Sequence, residues 1–183
     1  MPLPARHKRT RFFIAVEGES EQSFVRWLQF LADRHMQVHL DAILLGGGGY
    51  KSMLEKAVRG HKHRYRTKGA YRKLFLIVDS DRAAQGDWPL EQLRREAAEH
   101  QIIVCVQRPN HEGLLLRMLP GRENETPTAA DAERKLAQLW PAYRKPMNAH
   151  ALGRQFSLDD LRKLAAREPD LAELLNAIGL MAG

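Results

Sequence analysis

Leu74-Phe75-Leu76-Ile77-Val78-Asp79-Ser80-Asp81 decides the fold. Five apolar residues run without a break into two aspartates spaced one apart. A run this apolar, entered at Lys73 and left at Arg82, predicts a strand buried on both faces, as in a parallel sheet. Open parallel sheets bind ligands at the carboxyl ends of their strands. The two carboxylates fall at that place. Alternate side chains of a regular strand share a face, which predicts Asp79 and Asp81 on one side. Two ionised carboxylates so placed repel each other. A divalent cation relieves the repulsion, and an all-oxygen ligand set favours a hard ion, Mg²⁺ or Mn²⁺.

The same pattern recurs near the N-terminus. Phe12-Phe13-Ile14-Ala15-Val16 is a second apolar run, and it ends in Glu17-Gly18-Glu19-Ser20-Glu21. Gly18 permits a sharp turn, and Ser20 is the expected N-cap of a helix starting near Glu21. Glu19 and Glu21 can be read as complements to the positive end of that helix. Glu17 directly ends an apolar strand and needs another explanation. Glu17, Asp79 and Asp81 are therefore the candidate catalytic ligands, with Glu21 and Glu112 as further candidate metal ligands.

Charge points to an anionic partner. The 183-residue chain has a formal net charge of +7 and is 44% hydrophobic, enough for one domain with a real core. Between Arg59 and Lys73 lie seven Lys/Arg and two histidines without a single Asp or Glu. Residues 1–10 read as a basic arm. Acidic ligands framed by basic flanks suit a polyphosphate: the flanks hold the backbone and metal ions bridge it to the carboxylates. Lys51, Lys62, Arg64, Arg66, Lys68, Arg82 and Arg108 are the candidate nucleic-acid contacts. No apolar stretch approaches the length of a membrane span. The single cysteine, Cys105, lies in the apolar run 102–106 and reads as an inert buried thiol. A cytoplasmic setting is the default expectation.

The remaining segments alternate between strand and helix. Residues 20–35 read as a helix whose Phe24, Trp27, Leu28 and Leu31 pack on a sheet. Residues 38–45 read as a strand, so the His35/His39 spacing is discounted as a helical metal motif. Gly46-Gly47-Gly48-Gly49-Tyr50-Lys51-Ser52 resembles a phosphate loop, but both fixed glycines of that pattern fail at Leu45 and Tyr50. An ATPase site is excluded, while glycine amides at a helix start remain able to hold a phosphate. Residues 52–65 read as a helix whose end becomes a basic segment. Asp87 is a candidate cap for a helix over 89–100. Residues 101–107 are a fourth strand, and Asn110 caps a helix to Leu119. Helices follow over 128–139, 158–167 and 170–180, with 141–154 irregular. This C-terminal third suggests packing rather than chemistry. Strand and helix repeated about four times predict an α/β fold, a parallel sheet of about four strands with helices on both faces. The parts are a basic arm (1–10), the α/β domain (11–120) and a helical C-terminal extension (121–183).

Val16-Glu17-Gly18-Glu19-Ser20-Glu21 followed by Val78-Asp79-Ser80-Asp81 resembles the Toprim signature shared by topoisomerases, primases and OLD-type nucleases. Val106-Gln107-Arg108-Pro109-Asn110-His111-Glu112-Gly113-Leu114-Leu115-Leu116 is similar to the strand-to-helix motif of RloB-like proteins, usually Ser-Asn-Pro-x-Phe-Glu-x-Trp-Leu-Leu. The proline, the glutamate three residues later and the leucine run are kept; the serine, asparagine, phenylalanine and tryptophan are not. The resemblance implies a Toprim-like, Rossmann-like sheet and a metal-dependent nuclease of DNA or RNA. In that family the first glutamate, here Glu17, is either a ligand or a general acid or base. The resemblance further implies a phage-defence setting with a separately encoded ATPase partner. The competing expectations are a non-catalytic module that grips nucleic acid or a partner protein, and a phosphotransfer enzyme with a small phosphorylated substrate.

Overall fold

A computed structural model describes residues 9–34, 37–81 and 88–181 of the protein. Four strands, β1 (Thr10–Val16), β2 (Val38–Leu44), β3 (Lys73–Asp79) and β4 (Ile102–Gln107), form one sheet in the order β2-β1-β3-β4. Every pairing is parallel. The helices between them are α1 (Glu19–Asp33), α2 (Tyr50–Lys68) and α3 (Leu90–Glu99). After β4 come α4 (His111–Arg117), α5 (Ala129–Leu139), α6 (Ala149–Gln155), α7 (Leu158–Ala165) and α8 (Pro169–Ile178). The α/β fold expected from the apolar runs is the one found, in a Rossmann-like arrangement.

Alternation along each strand sorts the side chains into two cores. Phe12, Ile14 and Val16 of β1 and Phe75 and Ile77 of β3 face α1 and the C-terminal helices. Phe13 and Ala15, with Leu74, Leu76 and Val78, face α2 and α3. Strands β1, β3 and β4 are thus buried on both sides, which is why their sequences read as continuous apolar residues rather than an alternating pattern. Phe24, Trp27 and Leu28 of α1 are buried in the first core, as their spacing predicts. The C-terminal extension completes that core with Leu152, Leu161, Leu174, Leu175 and Ile178.

Several element boundaries differ from the sequence reading. The N-cap of α1 is Gly18 rather than Ser20: the Gly18 amide donates to Glu21 Oε2 at 2.9 Å, so Glu21 closes the first turn from inside the helix. Helix α2 runs on to Lys68 and ends at Gly69, whose φ of 85° suits glycine. The basic segment 61–68 is therefore helical and not a loop. The irregular stretch 141–154 contains the start of α6, capped by Asn148. Asn110 caps α4 as expected, and Thr128 and Ser157 cap α5 and α7. His39 lies on β2. His35, Asp87, Arg82 and residues 1–8 of the basic arm lie outside the described residues.

Candidate metal centre

The chain leaves β1 toward β2 on one side and returns across it to β3 on the other. The order of strands therefore reverses between β1 and β3, where open α/β sheets leave a crevice at the carboxyl ends. Val16 and Ile77 are register partners, so Glu17 and Asp79 emerge at that crevice together. A pocket of about 300 Å³ opens there, lined by Glu17, Glu19, Glu21, Asp79, Lys145 and Pro146 among others.

Each carboxylate is held differently. Glu17 is 6% exposed. Its backbone carbonyl accepts from the amides of Gly46 and Gly47, at 3.1 and 3.3 Å. Both glycines have φ above 70°, so the glycine run is the turn that lets β2 fold back against the exit of β1. These two amides are occupied by Glu17, and the phosphate-holding role considered for them does not apply. Glu21 is buried and tied to the Gly18 amide, whereas Glu19 is exposed. Glu112, 1% exposed in the first turn of α4, accepts from Tyr143 Oη at 2.9 Å and from Lys145 Nζ at 2.8 Å. Burial pushes its carboxyl up, but the Lys145 bond and the nearby His111 and Tyr143 hold it below the ordinary value.

Asp79 and Asp81 are the exceptions. Strand β3 ends at Asp79, and its backbone carbonyl accepts from Tyr50 Oη at 2.8 Å. Ser80 and Asp81 then turn out of the strand. The Asp81 amide donates to the Pro109 carbonyl at 3.0 Å, and Ser80 Oγ reaches the same oxygen at 3.2 Å. The strict alternation expected to put both aspartates on one face therefore stops at Asp79. Asp79 Oδ1 and Asp81 Oδ1 are nonetheless both buried without a hydrogen-bond partner. The Asp79 carboxyl is pushed up to about 9, first by burial and then by the negative charges of Glu21, Glu17, Asp81 and Glu112. All five candidate ligands thus act on one electrostatic centre.

Among the described residues no group of three or more His, Cys, Asp or Glu side chains is already arranged to hold a metal ion. The donor chemistry still fits a hard divalent cation. Two buried carboxylate oxygens lack any donor, their neighbours are further carboxylates, and no sulfur or imidazole ligand lies among the pocket-lining residues named above.

The predicted phosphate contacts toward the end of α2 fall elsewhere. Helix α2 starts at the carboxyl rim and runs back to the amino ends of the strands, so its basic end lies about 28 Å from its start. There Arg64 and Lys68 turn inward onto Asp41, a 5% exposed residue of β2. Arg11 Nη2 and Tyr71 Oη complete that cluster, at 3.2 and 2.5 Å from Asp41 Oδ2. Arg64 and Lys68 therefore serve a structural ion cluster away from the pocket. Lys51, Lys62 and Arg66 are exposed. Arg108 lies 3.8 Å from Glu168 and 3.7 Å from Asp170, beside a larger cleft of about 650 Å³. Arg117 in that cleft is likewise paired with Glu168, at 2.8 Å. The acidic pocket is smaller, but it holds the uncompensated charge.

Lys145 and Tyr143 are the site residues that sequence reasoning missed. They come from the extension assigned to packing, more than thirty positions after Glu112. An isolated lysine in a basic, irregular segment carries no periodic or motif signal. Compared with family models, curated proteins and solved structures, the chain matches none.

Proposed function

We propose that the chain is a divalent-metal-dependent nuclease of the Toprim type, cleaving phosphodiester bonds at the pocket between β1 and β3. The observation that carries this reading is the pair of buried, unpartnered oxygens on Asp79 and Asp81 at the strand-order switch, surrounded by further carboxylates. Asp79 and Asp81 would hold Mg²⁺ or Mn²⁺, with Glu17 and Glu21 lining the same pocket as Asp79 and Glu112 near enough to act on Asp79 by its charge. When bound, such ions activate a water and stabilise the departing oxygen of a phosphodiester. Glu17, pinned through its backbone by the glycine turn, either joins the ligands or moves a proton. Lys145 lines the pocket and presents a cation able to contact a phosphate oxygen. The resemblance to RloB-like and OLD-type proteins supports a defence role in the cytoplasm with a separate ATPase; full activity alone and purification free of any ATPase would argue against that partner. Among the described residues no helix is long and apolar enough to cross a membrane.

A non-catalytic nucleic-acid-binding module is the second reading. It draws on Lys145, which already neutralises Glu112, and on the lack of a prearranged ligand triad among the described residues. Supercoiled plasmid and a structured RNA, each with Mg²⁺, Mn²⁺ or EDTA, separate the two. Metal-dependent cleavage that disappears in Asp79→Asn is the expected result. Salt-sensitive binding with no cleavage under any metal would leave the module.

A further inference from the structure

Helix α2 is not spent on the pocket, and it is strongly cationic. Over Tyr50–Lys68 it carries seven Lys/Arg against one glutamate, in a protein whose net charge is +7. Arg64 and Lys68 are drawn onto Asp41. Lys51, Arg59, Lys62 and Arg66 are exposed, and none of them makes an ion pair among the described residues. At 100° per residue these four fall within an arc of about 80°, opposite the buried Met53, Leu54 and Ala57. They form one stripe along the solvent face, interrupted by Glu55. The stripe begins at Lys51, beside the glycine turn that touches Glu17, and continues for about 22 Å to Arg66 at 1.5 Å per residue.

We propose that this stripe is a ridge that tracks the phosphate backbone of double-helical nucleic acid, leading from the carboxylate pocket across the α2 face. Four unpaired cations on a rigid helix hold their spacing without a folding step on binding. A phosphate backbone is the anion whose charges repeat over such a length. Single strands are gripped by successive aromatic rings on which bases stack. The exposed rings of α2, His63 and Tyr65, both fall outside the arc of the four cations, and Tyr65 is held edge-on to His61 at 6.0 Å between centroids. The ridge thus contacts backbone and not bases, which selects a duplex. At about 3.4 Å per base pair its length matches six to seven base pairs. A duplex reaching both pocket and ridge must be longer than that. The partner class rests on the nucleic-acid reading above; the ridge itself does not depend on cleavage.

The test is fluorescence anisotropy of the full chain in EDTA, so that no substrate is cut, with hairpin stems of 4 and 12 base pairs and a 24-nucleotide single strand. DNA and RNA versions distinguish the two sugars. Lys62→Glu/Arg66→Glu is compared with Arg26→Glu/Arg154→Glu, a charge-matched pair on the α1 and α6 side of the sheet. Lys62→Gln/Arg66→Gln serves as a milder variant, and thermal melts confirm folding. The 12-base-pair stem should bind wild type at least about tenfold more tightly than either the short stem or the single strand. The ridge variant should lose at least tenfold and lower the slope of log K against log salt by about two, one per phosphate contact. The control pair should lose little. Unchanged affinity in both ridge variants, an equal loss in the control pair, equal binding of the single strand, or no binding by wild type would each overturn the proposal. Absence of metal-dependent cleavage alongside intact ridge-dependent binding would instead count against the nuclease reading alone.

Discussion

Replacing Asp79 with Asn should stabilise the metal-free protein. The Asp79 carboxyl is raised from 3.8 to about 9 by burial and by four surrounding carboxylates. The unfolded chain carries this group ionised at pH 7, so folding must take up a proton. Each pH unit above the ordinary value costs about 1.4 kcal/mol, and the interval to pH 7 amounts to about 4 kcal/mol. Because the folded value is raised, the stabilising contribution is full below about pH 3.8. It is lost progressively as pH climbs toward 9. Asparagine keeps the shape without the proton. Side-chain relaxation and water entry make the calculated figure a ceiling. In denaturant melts with EDTA, the gap between variant and wild type should widen from under about 2 kcal/mol at pH 5 to as much as about 4 at pH 7. Millimolar Mg²⁺ or Mn²⁺ should narrow it by stabilising wild type alone, since a ligand stabilises the state that binds it. A variant less stable than wild type, or a gap that does not change with pH, would refute the view that Asp79 is a carboxyl kept from ionising until a cation binds.

Three further substitutions probe the surroundings. Lys145→Met leaves Glu112 buried with Tyr143 as its remaining named donor, and should cost about 2 kcal/mol in a chemical melt. Asp41→Asn leaves Arg11, Arg64 and Lys68 facing no carboxylate, and should cost about 3 kcal/mol at neutral pH. Burial raises the Asp41 carboxyl, but the bonds from Tyr71 and Lys68 and the charge of Arg64 outweigh it and hold the group below 3.8. Its contribution is therefore present above the ordinary value and lost as pH falls below it, so the difference between Asp41→Asn and wild type should shrink below about pH 4. Gly113→Ala places a methyl 2.5 Å from Pro109 Cδ and 2.8 Å from the Arg108 carbonyl. The turn from β4 into α4 must shift, at about 1–3 kcal/mol, read as a lower melting midpoint.

The sheet was legible because a strand buried on both faces writes itself as an unbroken apolar run, and three of the four strands do so. The place of the carboxylates followed from the same runs. What failed was spatial inference from neighbours in sequence. The basic stretch just before β3 looked adjacent to Asp79. In a parallel sheet, residues that enter a strand lie a full strand length from those that leave it, and the pairing of Phe12 with Lys73 puts that stretch at the amino edge. Alternation does not place Asp81 beside Asp79, because it holds only while the strand continues. Asp41 carried a readable signal that was not used: a lone carboxylate inside the apolar strand 38–44 requires buried cations. Lys145 carried none, since a single residue from the extension reaches the pocket through tertiary packing.

The strongest bland account of the acidic rim is that helices recruit acids to their positive ends. Three helix N-termini, at Gly18, Gly49 and Asn110, point to this end of the sheet. That account covers Glu21, which closes the first turn of α1, and Glu112, which sits in the first turn of α4 and is further neutralised by Lys145. It does not extend to Asp79, which ends β3, or to Asp81 in the turn just after it, each of which keeps a buried oxygen without a donor. The surplus cations of α2 do not compensate them either. Most lie farther away than the screening length of about 8–10 Å at ordinary ionic strength. Burying an unpartnered carboxylate oxygen costs free energy that a fold with no use for it would shed by a single change to asparagine or serine. A cation is the simplest species that turns this local cost into a binding site at the two aspartates.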